Sequence, residues 1–171
     1  MGANPAMKLK RIFDVTLEAL VWVSAALLAL IVLSVAMEVF LRSALNRPQA
    51  WVLELSEYGL LFITFLIAAF LVKIERNITV DIVIGLLNHK TRDFLSIVQY
   101  AIISLVAFVF VYFGASVTLD LYQRGVYNPT ILQVPMAYVL FIIPVGGLFI
   151  LIQSLIGLHA SIRKARQKEK R

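Results

Sequence analysis

Residues 94–119 read FLSIVQYAIISLVAFVFVYFGASVTL, a run of 26 side chains with no charge among them. A helix crossing about 30 Å of hydrocarbon needs roughly 20 mainly apolar residues, and it must pair its backbone N–H and C=O groups internally. At 1.5 Å per residue this run reaches about 39 Å. It is therefore read as a helix that tilts or extends into the interface. Working outward, Ala19–Met37 and Tyr58–Val72 also lack charged side chains. So does the segment from Arg124 to Arg163, apart from the weakly basic His159. Four such runs predict an all-α polytopic membrane protein. The expected spans are about residues 17–41, 57–73, 94–120 and 137–160.

Composition agrees. The 171-residue chain is 61% hydrophobic, with a mean hydropathy of +0.89. Four spans and short connections leave no room for a second soluble domain, so residues 1–171 are read as a single membrane domain. Cysteine is absent, which removes disulfides, thiolate metal sites and thiol catalysis together.

The formal charge of +6 suggests nucleic acid only until its distribution is considered. Lys8, Lys10 and Arg11 precede the first span, and Lys73, Arg76, Lys90 and Arg92 lie between the second and third. Arg163, Lys164, Arg166, Lys168, Lys170 and Arg171 follow the fourth. Only Arg42, Arg47 and Arg124 fall on the other side. Basic loops stay cytoplasmic, so both termini are expected inside, with the basic tails against anionic lipid headgroups. No nucleic-acid motif accompanies the charge. The basic lead and Ser34-Val35-Ala36 resemble a signal peptide with its cleavage site. However, the apolar run is longer than the usual 7–15 residues, so the first helix is expected to be retained.

The first connection carries the most local information. Asn46-Arg47-Pro48 stops a helix, because proline lacks an N–H and biases its predecessor away from helical dihedrals. A helical pattern resumes at once. Trp51, Leu55 and Tyr58 share one face, while Glu54 and Glu57 lie close together on another. With tryptophan as an interfacial anchor, residues 49–57 read as a short amphipathic helix on the outer membrane surface, turning into or continuing as span two. The alternative is that span two simply starts early. The second connection, Lys73–Asp93, mixes charges with the apolar run Ile82–Leu87 and is expected to form a cytoplasmic amphipathic turn. The third, Asp120–Pro135, is expected to be a tight outer loop.

Catalytic and cofactor chemistry has little to stand on. His89 and His159 lie in different segments and away from mid-membrane, whereas a haem-carrying bundle needs facing histidines inside the spans. No metalloprotease, phosphate-loop or nucleophile-elbow motif occurs, so the chain is not read as an enzyme. Glu54 and Glu57 make a poor metal site without further ligands. They fit better as helix N-terminal acids or as contacts to a cation of this chain or of a partner. Glu18, Glu38 and Asp120 fall near span ends, so no charge is expected at mid-depth. The few mid-span polar groups, Thr64, Ser104, Tyr112 and Gln153, read as helix–helix contacts. Small residues at Ala25, Ala26, Ala29, Ala68, Ala69, Gly114, Ala115, Gly146 and Gly147 permit close helix packing, and Pro144 can bend span four.

From Arg42 onward the sequence resembles the small membrane subunit of a TRAP (tripartite ATP-independent periplasmic) transporter. The resemblance runs through Arg42, then Pro48 and Trp51 with Glu54 three residues on, and then an apolar span. It continues through Ile78-Thr79-Val80-Asp81, where the family typically has His-Ile-x-Val-Asp, and through Pro135, Tyr138, Pro144 and Gly146. The departures are Asn77 where the family often has His, Lys73 where it often has Arg, and Leu53 at a position that is often acidic.

The resemblance implies a division of labour. A large membrane subunit carries the substrate, an organic acid, together with sodium, and a periplasmic binding protein captures that substrate. The small subunit holds no cofactor, ion or substrate site. It braces the scaffold of the large subunit in the bacterial or archaeal cytoplasmic (inner) membrane, and its outer surface helps dock the binding protein. Arg42, Trp51, Glu54, Glu57, Tyr58, Asp81, Pro135 and Tyr138 are the expected partner or interface contacts. The competing reading is an autonomous four-helix proton-coupled exporter using Glu18 or Glu38. A redox-complex anchor is a more remote one, since the facing histidines it needs are missing.

Overall fold

The structure, a computed structural model, describes the backbone of residues 5–82 and 89–169 and the side chains of residues 11–74 and 94–167. Its elements are α1 (Pro5–Leu45), α2 (Ala50–Ile82), α3 (His89–Arg124), α4 (Met136–Leu140) and α5 (Ile142–Glu169). Among the described residues, four stretches are long and apolar enough to cross a membrane: Arg11–Leu45, Ala50–Ile74, Phe94–Arg124 and Met136–Gln167. The expected all-α architecture of four spans is what the chain adopts.

The helix expected over residues 49–57 starts at Ala50 and continues as span two, because α2 runs from Ala50 to Ile82 without a break. Nothing between Trp51 and Val72 forces one. The segment has no proline, and its one glycine, Gly59, is taken up within the helix. The α2 helix also continues past Lys73 into the expected second connection. The rest of that connection, residues 83–88, lies outside the described residues. In the fourth span a break separates α4 from α5 at Phe141, upstream of Pro144. Proline has no N–H to return to the carbonyl four residues back, here that of Leu140. Phe141 nevertheless keeps helical dihedrals (φ −61°, ψ −21°) and donates to the Ala137 carbonyl.

The chain divides into two compact units. The first joins Met1–Ile67 to Thr118–Ile142. Here α1 ends at Leu45, and Asn46 takes a left-handed conformation (φ 49°). This lets the Arg47 N–H reach the Leu41 carbonyl at 3.3 Å. Asparagine tolerates that region better than most residues, and Pro48 then prevents the helix from resuming. Residues 46–49 are enough to turn the chain from α1 into α2. The two helices approach closely where Gly59 lies against Ile31, and a Cβ at residue 59 would stand 2.6 Å from the Ile31 Cδ1.

The second unit joins Ala68–Val117 to Ile143–Arg171. It holds an antiparallel seam between α3 and α5. Gly114 lies against Pro144, Ser104 against Ser154, and Tyr100 against Gly157. Tyr100, Ser104 and Gly114 are four and ten positions apart in succession, so they fall on one face of α3. Lipid tails are as apolar as leucine, so helices in a bilayer associate through close van der Waals contact and hydrogen bonds. The seam uses both. Gly157 lets the buried Tyr100 ring lie directly on the α5 backbone, where an added Cβ would come within 2.6 Å of the ring. Between Tyr100 and Gly114, Ala107 is buried in line with them.

Candidate partner-binding surface

The α3–α4 connection is built around left-handed turns. Gly125 (φ 61°) and Gln133 (φ 46°) reverse the chain at either side of the loop. The Met136 N–H donates to the Val126 carbonyl at 3.0 Å, and the Asn128 N–H to the Val134 carbonyl at 3.1 Å. Tyr127 and Pro135 form an isolated antiparallel bridge. The tight loop expected over Asp120–Pro135 is therefore shorter, residues 125–135, because α3 stays helical through Arg124.

Three α2 residues hold this connection in place. Glu54, Tyr58 and Phe62 recur every four positions and therefore share one helix face. Glu54 Oε1 accepts the Ile131 backbone N–H at 2.9 Å, and Oε2 accepts that of Leu132 at 3.2 Å. The Asn128 side-chain amide donates to the Tyr58 hydroxyl oxygen at 2.6 Å. Phe62 meets Phe141 edge-to-face at 5.7 Å. Glu54 is only 8% exposed, so its charge is buried and needs these donors. Hydrogen bonds to an ionised group contribute about 1.5–3 kcal/mol each. The Thr130 hydroxyl oxygen is buried nearby without a hydrogen-bond partner of good geometry.

Among the described residues, the hydrogen-bond donors to Glu54 are the two backbone N–H groups of Ile131 and Leu132. The expected Glu54–Glu57 pair separates, since Glu54 turns inward while Glu57 remains exposed. Trp51 is half-buried, and its indole N–H donates to the Gln49 side chain at 3.0 Å. Leu53 and Leu55 face outward from the same turns. The start of α2 therefore presents Leu53 and Leu55 outward and the Glu54 carboxylate inward.

The remaining expected contacts lie apart from Glu54. Arg42 pairs with Glu38 at 3.6 Å on the surface of α1. Pro135 is the residue that caps α4, and the Tyr138 N–H donates to its carbonyl. The Tyr138 side chain is exposed. The side chain of Asp81 lies outside the described residues. Around the fastened loop, Tyr127, Ile131, Leu132 and Tyr138 form an exposed apolar crest, with no charged residue between Arg124 and Arg163.

Inside the spans, four hydroxyl groups find acceptors within the chain. Ser24 donates to the Leu20 carbonyl and Thr64 to the Leu60 carbonyl, both at 2.8 Å. Ser104 meets Ser154 at 2.9 Å, and Ser154 also reaches the Leu151 carbonyl at 3.0 Å. Ser104 is thus a helix–helix contact, as expected. Its partner Ser154 was not foreseen, nor were Asn128, Tyr100 and Gly157. The signals for Tyr100 and Gly157 were weak but present, since each lies in line with small residues on its own helix.

A family model described as "Tripartite ATP-independent periplasmic transporters, DctQ component" matches residues 31–164. No curated protein matches the chain. The match covers spans two to four and the C-terminal part of span one, including the Glu54 contacts and the α3–α5 seam. The chain belongs to the DctQ component family of the tripartite ATP-independent periplasmic transporters.

Proposed function

We propose that this chain is a non-catalytic brace. It supports the scaffold of a large membrane subunit that moves an organic acid together with sodium, and it contributes no ion or substrate site of its own. The observation that carries this reading is the internal pairing of span hydroxyls at Ser24, Thr64, Ser104 and Ser154. A carrier lines its mid-depth site with polar side chains or unwound backbone aimed at the cargo. Here these groups are committed to the chain's own carbonyls and to each other.

Both termini are cytoplasmic in this reading, which places the α3–α4 loop on the periplasmic side. The fastened crest at Tyr127, Ile131 and Tyr138 then helps to dock the periplasmic binding protein. A loop already held in one conformation loses less entropy on binding. Co-expression with a large TRAP membrane subunit, followed by affinity capture on a tag carried by this chain, tests the brace. A stoichiometric complex is expected, and recovery of this chain alone would contradict the reading.

A further inference from the structure

Tyr112 is placed where a membrane helix rarely leaves a hydroxyl. The apolar run Phe94–Leu119 is centred between Val106 and Ala107. Tyr112 lies about 8 Å beyond that centre along the helix, inside a hydrocarbon half-thickness of about 15 Å. The Cα–Cβ bonds of a helix tilt toward its N-terminus. Tyr112 is in the C-terminal half of the run, so the tilt carries its ring toward mid-membrane and away from the nearer interface. Trp22 makes the contrast. It is in the N-terminal half of Ala19–Met37, and the same tilt takes its 78%-exposed ring toward water.

Tyr112 is 62% exposed on this chain, and its hydroxyl has no hydrogen bond among the described residues. Lipid tails cannot supply an acceptor. The ring is held between neighbours, stacked on Phe108 at 6.3 Å and edge-on to Phe113 at 5.1 Å. Leu105, Phe108, Tyr112 and Leu119 share one exposed α3 face. The face of Tyr100, Ser104 and Gly114 is occupied by α5. We propose that the Tyr112 face is where the large membrane subunit packs, with the Tyr112 hydroxyl donating to an acceptor on one of its helices. A pre-ordered aromatic ridge with one polar tip has the chemistry of an interface anchor. The proposal rests on the brace reading and adds to it the face that is used.

The test replaces Tyr112, and separately Trp22, with the photoreactive residue benzoylphenylalanine. Each variant is co-expressed with the large subunit and irradiated in native membranes. Residue 112 is expected to crosslink to the large subunit, while residue 22 gives no such adduct. In parallel, Tyr112→Phe keeps the ring and removes the hydroxyl. It is expected to lower retention of the large subunit under detergent challenge about threefold, as for one interhelical hydrogen bond in a membrane. If the unmodified chain captures no large subunit, the brace reading fails. If it captures the large subunit but residue 112 crosslinks only to lipid or to a second copy of this chain, the face assignment is overturned.

Discussion

Glu54 Oε1 accepts the backbone N–H of Ile131 at 2.9 Å, tying the first turns of α2 to a loop 77 residues later in the chain. The bond is buried and charge-assisted, and a second bond to Leu132 runs beside it. It fixes the loop through its backbone and leaves the Ile131 and Leu132 side chains exposed. The same contact therefore orders the loop and presents its apolar crest.

Removing that carboxylate should loosen the loop. Glu54→Ala is expected to cost about 2 kcal/mol, since it leaves two N–H groups without their charged acceptor. Glu54→Gln should cost less, because one carbonyl oxygen remains. Protease cleavage within residues 125–135 of the purified complex reads the effect. Glu57→Gln is the control and should change little, because Glu57 is exposed. Equal protection in Glu54→Ala and the unaltered protein would contradict the role given to this contact.

The Ser104–Ser154 bond should show coupling in a double-mutant cycle. A coupling of about 0.6 kcal/mol is expected when each serine is changed to alanine alone and together, typical of interhelical hydrogen bonds in membranes. Thermal unfolding in detergent measures it, and strict additivity would remove the bond from the account of the seam.

Gly157→Ala should destabilise the second unit by about 1–3 kcal/mol through overpacking. The new Cβ would meet the Tyr100 ring at 2.6 Å. Adding Tyr100→Leu should restore part of the loss, because it removes the ring that the methyl group strikes. A failure of Tyr100→Leu to compensate would place the strain elsewhere.

The four spans were legible because length and absence of charge are properties of a segment alone. Ser104 was legible as a helix contact for a similar reason, being a small polar residue in an apolar run. The partners of Glu54 were not legible. The N–H groups of Ile131 and Leu132 carry no side-chain signature, and their approach to α2 depends on the turns at Gly125 and Gln133. The separation of Glu54 from Glu57 was hidden for the same reason, since i, i+3 spacing shows that two residues are close on a helix but not which one faces the protein. The continuity of α2 stayed open because Trp51 marks an interface equally well on a surface helix and at the end of a span.

The proposed membrane orientation rests on the Lys and Arg distribution. Reporter fusions after residues 47, 128 and 171 should read periplasmic, periplasmic and cytoplasmic. A periplasmic C-terminus would invert the docking side assigned to the α3–α4 loop.

The most direct measurement of the brace is reconstitution into liposomes. Sodium-driven uptake of the organic acid should require the large subunit, the binding protein and this chain together, and this chain alone should transport nothing. Ion-driven uptake by this chain alone would contradict the central claim, and so would full uptake by the other two components without it.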